Sequence, residues 1–188
     1  MITELTERFS NDLTTIGIAY IYCNFRSRDE QRIDDLLASL LKQLADRQDS
    51  LPAIVKDLYD LHERKRTRPS LGEITRTLQA TATFYSRVFI IIDALDECQK
   101  TDNCRMKFLT ELFNLRTWQA VNIFATSRFI PDIVDQFKDS TLLEIRPSPD
   151  DVARYVGGQI EQLPPFVQKS RQLQEEVKTG ITEAVGGM

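Results

Sequence analysis

The sequence predicts an α/β fold with a largely parallel sheet, on three observations. Short runs rich in β-branched and aromatic residues alternate with segments of helical periodicity. Those runs are apolar at consecutive positions, the pattern of strands covered on both faces. And 188 residues, 41% of them hydrophobic and 28% charged, suffice for one sizeable core.

Taken in order, Ile2, Leu5, Phe9 and Leu13 fall near one helical face, so the chain opens in a helix. Residues 16–25, IGIAYIYCNF, read as a buried strand, and 26–31 as a polar loop. Ile33, Leu36, Leu37, Leu40, Leu41 and Leu44 follow the i, i+3, i+4, i+7 rule without a miss and define a second helix. Ser50-Leu51-Pro52 opens a third, with Ile54, Val55, Leu58 and Leu61. Ser70-Leu71-Gly72-Glu73 is a capping box: a hydroxyl and a carboxylate satisfy the free N–H groups of a helix start. Leu71, Ile74, Leu78 and Ala82 line that helix.

Residues 88–92, VFIII, form a buried strand that ends in Asp93-Ala94-Leu95-Asp96-Glu97. A helix with Phe108, Leu109, Leu112 and Phe113 inward follows. Next come a strand at 121–128, a short helix at 130–137 and a fourth strand at 141–145. Ser148-Pro149-Asp150-Asp151 supplies an N-cap, a first-turn proline and first-turn acids for a helix running towards Leu163. Pro164-Pro165 stops it, and Leu173, Val177, Ile181 and Ala184 mark a last helix. Residues 1–147 are expected as the core and 148–188 as a helical appendage.

Charge and composition narrow the function. With 24 Lys+Arg against 28 Asp+Glu the net charge is −4, which argues against general nucleic-acid binding. No apolar run approaches the ~20 residues of a membrane span, and the acidic start Met1-Ile2-Thr3-Glu4 is no secretory signal. Cys23, Cys98 and Cys104 are odd in number and lack metal-ligand spacing, as in a reducing, cytoplasmic setting. The basic run at 64–68, RKRTR, is expected as a solvated loop between helices, and Trp118 as an anchor before a strand. His62, the only histidine, shows no partner pattern in the sequence and is assigned no catalytic role.

In parallel sheets ligands gather outside the carboxyl ends of the strands. Two of the predicted strands carry polar chemistry there. The first delivers Asp93, with Asp96 and Glu97 just beyond; a carboxylate on a rigid strand end can hold Mg²⁺ directly or through water, and a second can orient an attacking water. The other ends in Ala125-Thr126-Ser127-Arg128, a cation and two hydroxyls suited to a phosphate.

Those residues carry a resemblance. The segment 88–98, VFIIIDALDEC, resembles the extended Walker B of NACHT domains in the signal-transducing (STAND) P-loop NTPases. The match is to the fungal group with nephrocystin-3-like N-terminal domains. Residues 18–26 with Asp29-Glu30-Gln31 resemble that family's second strand and loop. Residues 123–128 resemble its sensor strand, and Leu143-Glu144-Ile145 with 150–155 its fifth strand and following helix. The resemblance implies a three-layer P-loop NTPase-like sandwich and a nucleotide-dependent signalling switch. It implies Asp93 on Mg²⁺ through water, Asp96 and Glu97 positioning the hydrolytic water, and Arg128 sensing the γ-phosphate, with Thr126 and Ser127 beside it. Ala94 stands where many of these proteins carry Gly. The implied cofactors are Mg²⁺ and ATP or GTP in the full-length protein; its implied partners are proteins, copies of itself and flanking repeat domains.

The family's G-x-x-x-x-G-K-[ST] phosphate loop does not occur in the 188 residues, in which no Gly precedes a Lys. By position it would fall just before Met1, together with the family's first strand. The expectation is therefore a segment of a larger NTPase, with weak nucleotide binding or none, and no hydrolysis, by this chain alone. The rival expectation is a degenerate, nucleotide-independent protein-interaction module. A nuclease using Asp93, Asp96 and Glu97 lacks a basic substrate groove.

Overall fold

The structure is a computed structural model and describes residues 2–9, 15–24, 31–98, 103–116 and 120–186. The expectations for Leu13, Phe25, Arg26, Asp29, Glu30 and Trp118 lie outside the described residues. The chain divides into two compact units, Met1–Lys138 and Asp139–Met188.

The first unit holds a three-stranded parallel sheet in the order β1 (Ile16–Tyr22), β2 (Arg87–Asp93), β3 (Val121–Ala125). Its register sets Ala19 beside Ile90 and Ile90 beside Ile123, and Tyr22 beside Asp93. One face presents Ala19, Ile21, Val88, Ile90, Ile92 and Val121 to α2 (Ile33–Ala45), α4 (Leu71–Ala82) and α5 (Cys104–Arg116). Leu37, Leu40, Leu44, Phe108, Leu109 and Leu112 are wholly buried there. Truncating one of these leucines to Ala leaves a cavity and costs about 2–5 kcal/mol. On the opposite face Phe9, just past α1 (Ile2–Arg8), stacks on Phe89 with ring centroids 5.6 Å apart. Helices on both faces of the sheet give the three layers expected of the fold class.

Gly17 is fixed by close approach: a Cβ there would stand 2.9 Å from Leu44 Cδ2 and 3.1 Å from the Tyr85 ring. The Tyr85 hydroxyl in turn donates to the Leu44 carbonyl at 2.5 Å, pinning the last turn of α2. The capping box is present as read, with Glu73 N donating to Ser70 Oγ and Ser70 N donating to Glu73 Oε2 at 2.8 Å. α3 (Ala53–Lys65) ends at Arg66 in the left-handed region, φ 50°, and the basic run lies exposed there. His62 does have partners: Nδ1 lies 2.8 Å from Thr67 Oγ1 and Nε2 3.4 Å from Glu73 Oε1, tying the end of α3 to the start of α4.

β1 is an edge strand, and glutamine side chains close its outer ladder. Gln43 on α2 accepts from Tyr20 N at 3.0 Å and donates to Tyr20 O at 2.8 Å. Gln31 accepts from Asn24 N at 3.2 Å and donates to Tyr22 O at 3.1 Å. Each amide reproduces what a neighbouring strand would offer, and so removes a template for edge pairing.

After β3 the chain forms α6 (Pro131–Gln136), whose Ile133 is buried. In the second unit, α7 (Pro149–Gln159) begins at the Ser148 cap, which accepts from Asp151 N at 3.1 Å. It tightens into a 3₁₀ turn at Ile160–Gln162 instead of running on to Leu163. Pro164 caps α8 (Pro165–Gln168), and α9 (Arg171–Gly186) packs on α7. The fourth strand expected at 141–145 does not form. That segment has no regular structure, and Leu142, Leu143 and Ile145 are 69, 78 and 84% exposed. Strand propensity is a preference for a paired, half-covered surface, and no strand pairs with it among the described residues. Among the described residues no helix is long and apolar enough to cross a membrane.

Candidate functional site

The carboxyl ends of the three strands are stitched together by backbone bonds that continue past the sheet. Cys23 N donates to Asp93 O at 2.9 Å, Thr126 N to Ile92 O at 2.9 Å and Leu95 N to Thr126 O at 2.9 Å. β2 therefore delivers Asp93 at a fixed position. Ala94 then takes a left-handed conformation, φ 55° and ψ 48°, and turns the chain into the 3₁₀ turn Leu95–Glu97. That backbone is what Gly adopts without penalty, which accounts for a small residue at this position.

Thr126 is the link between β2 and β3. Its Oγ1 donates to Asp93 Oδ1 at 2.5 Å and accepts from Ala94 N at 2.9 Å, so one hydroxyl fixes both the carboxylate and the turn behind it. Asp93 Oδ2 makes no hydrogen bond among the described residues and leaves a hard oxygen available. Ser127 turns away: its Oγ donates to Arg128 O at 2.7 Å.

Arg128 and Asp96 form the second link. Arg128 N donates to Asp96 Oδ1 at 3.2 Å and Arg128 Nε to Asp96 Oδ2 at 2.5 Å. The pair is asymmetric, with the Asp96 side chain 5% exposed and that of Arg128 80%. Burial alone would push the Asp96 carboxyl up, but the side-chain and backbone hydrogen bonds from Arg128 outweigh it and hold it below the usual range. The same bond raises Arg128 above the ordinary guanidinium value. Asp96 thus serves here as the anchor of Arg128. Glu97 is half-buried on the same turn.

Cys23 and Cys98 flank this edge, both buried and neither in a disulfide. The hydrogen bond with the Cys98 thiol, then burial, pushes the Cys23 thiol far up, and burial raises that of Cys104.

The structure thus brings Asp93, Asp96, Thr126 and Arg128 together in two hydrogen-bonded pairs, with Glu97 on the same turn and Ser127 beside them but directed at its own backbone. Neither pairing was evident in the sequence, although the register that sets Ile92 beside Ala125 places Thr126 opposite Asp93 once the strands are known to be adjacent. Among the described residues no group of three or more His, Cys, Asp or Glu is placed to hold a metal ion. Asp93 fits Mg²⁺ as a single water-mediated ligand, the mode in which that ion takes most of its shell from water and phosphate oxygens.

A parallel α/β sheet with a hydrogen-bonded acid–hydroxyl–arginine cluster at its carboxyl edge defines the class. Comparison with family models then specifies it. The model described as Nephrocystin 3, N-terminal, matches residues 1–128, and the chain belongs to that family. No curated protein matches the chain, nor does any solved structure.

Proposed function

We propose that the chain is the central segment of a NACHT-type, nucleotide-dependent signalling switch, with the strand ends at Asp93 and Arg128 facing the phosphates of ATP or GTP. The observation that carries this reading is the pair of cross-strand links, Thr126–Asp93 and Arg128–Asp96. They hold one oxygen ligand and one exposed guanidinium on the same edge. Asp93 would hold Mg²⁺ through water, with its rotamer fixed by Thr126. When bound, the ion supplies positive charge against the β- and γ-phosphates. Arg128 is nearly fully solvated at its far end, so it can exchange Asp96 for a phosphate oxygen while its backbone N–H stays on Asp96. That exchange gives the site two arrangements, as a switch requires, and frees Asp96 to join Glu97 in orienting a water.

Within these 188 residues there is no Gly-Lys-Ser/Thr loop, so the affinity of this chain alone is expected to be low and turnover absent. Self-association and protein partners belong to the full-length switch in this reading, and its setting is the cytoplasm. Titration with a fluorescent ATP or GTP analogue, with and without Mg²⁺, tests it. The expected result is weak, Mg²⁺-dependent binding that Asp93→Ala lowers by about 10–100-fold. Binding indifferent to Mg²⁺ and to Asp93, or none at millimolar nucleotide, would support the nucleotide-independent interaction module instead.

A further inference from the structure

The basic run at 64–68 takes no part in the strand-end site, and the structure gives it a defined shape. α3 ends at Lys65, and Arg66, in the left-handed region, turns the chain out of the helix. Thr67, Arg68 and Pro69 then cross without regular structure to Ser70, the N-cap of α4. Arg64, Lys65, Arg66, Thr67 and Arg68 are all exposed. A threonine hydroxyl thus sits on an open turn, with cations at the three positions before it and at the one after.

Two features let this turn enter another protein's cleft. No residue of α3 is fully buried, so little apolar burial resists fraying of its last turn. Thr67 itself is held only locally, by a bond from its N–H to His62 O at 3.1 Å and by one between Oγ1 and His62 Nδ1 at 2.8 Å. Ser70, the other hydroxyl of the turn, differs. Its Oγ accepts from Glu73 N and donates to the Glu73 carboxylate at 2.6 Å. A phosphate there would stand against that carboxylate and break the capping box.

We propose that Thr67 is a phosphorylation site for a serine/threonine kinase whose peptide cleft is lined with carboxylates. Such a cleft is complementary to Arg64, Lys65 and Arg66. Thr67 Oγ1 attacks the γ-phosphorus of the kinase's Mg²⁺-bound ATP. The Oγ1–P bond forms and the bond from that phosphorus to the β–γ bridging oxygen breaks. ADP leaves with the electron pair, and the hydroxyl proton passes to the kinase's carboxylate base. The product carries about −1.5 to −2 charge at pH 7 and offers acceptor oxygens to the guanidinium groups beside it. It also replaces the hydroxyl that His62 meets, so the ring that ties α3 to α4 then faces an anion on both sides, the phosphate and Glu73. The site uses no residue of the strand edge and stands whether or not that edge binds nucleotide.

The test is phosphate transfer from ATP to the full chain by the catalytic subunit of cyclic-AMP-dependent kinase, an enzyme directed by basic residues, read by mass spectrometry. A single phosphate per chain is expected, on Thr67. Thr67→Val should abolish it, and Thr67→Ser, which keeps the hydroxyl, should retain it. Reversing the charges with Arg64→Glu and Lys65→Glu together should lower kcat/KM for the transfer by about tenfold or more. The ring signals of His62, the only histidine, should shift in the proton NMR spectrum on modification. A chain left unmodified would overturn the proposal. So would a phosphate that stays in Thr67→Val or resides on Ser70, a transfer indifferent to the charge reversal, or His62 signals that do not move.

Discussion

Arg128 reaches Asp96 through a side chain that is mostly in water, so its worth depends on the buried partner rather than on the exposed one. Removing it with Arg128→Ala leaves a buried carboxylate oxygen without its donor, at a cost of about 1–2 kcal/mol at pH 7 by urea unfolding. The pH dependence follows from the sign of the shift. The folded-state value of Asp96 is lowered, so its contribution is present above the unfolded value of about 3.9 and is lost as pH falls through the folded one. Wild type and Arg128→Ala should therefore converge in stability as the pH falls through the lowered folded-state value of Asp96. A gap that persists once Asp96 is protonated would mean that the arginine acts through packing. Ala94 gives a second test at this scale. Relief of a left-handed alanine outweighs the added chain entropy of glycine, so Ala94→Gly should stabilise by about 0.5–1 kcal/mol, and Ala94→Val should destabilise.

At the scale of single elements, the parts most legible in the sequence were those whose cause is local. The leucines of α2 recur with the helical period, the box at Ser70 and Glu73 needs only four residues, and Ser148-Pro149 sets its own helix start. The failure at 141–145 has the opposite character. Its residues favour a strand, but a strand exists only with a neighbour, and pairing is not written in the segment itself. The same holds for β1, whose edge is finished by Gln43 from a helix more than twenty residues away. Gln43→Leu should cost about 1–3 kcal/mol, since Tyr20 loses both amide partners, and should speed exchange of the Tyr20 amide selectively. Glu73 supplies an acid-sensitive counterpart. Its bonds to Ser70 hold it down to about 2, so the carboxylate's share of the cap is intact above the unfolded value of about 4.3 and fades as pH falls towards 2. Ser70→Ala should lower stability by about 0.5–2 kcal/mol at neutral pH, and by a smaller amount near pH 2, where the bond from Glu73 N to Ser70 Oγ remains.

For the whole molecule, the division of labour between the two units is set by where apolar area is buried. The continuous core runs from Ala19 to Ile133 and lies wholly in Met1–Lys138, where the strand-end site also sits. The sequence announced the acids and the arginine of that site through their places at strand ends. It could not announce which acid holds which donor, because that depends on register between strands some thirty residues apart. In Asp139–Met188 the buried apolar side chains among the described residues are Val152, Val156 and Val167, while Tyr155 and Phe166 are exposed. Three valines offset little of the entropy of ordering four turns of α9 and the helices before it. Hydrogen exchange should therefore separate the units: amides of α7 and α9 should exchange through openings of only a few kcal/mol, well before those of β1, β2 and α2. Residues 1–138 expressed alone should keep a cooperative melt with the midpoint of the full chain to within a few degrees. A non-cooperative melt would show instead that the core depends on the residues after 138.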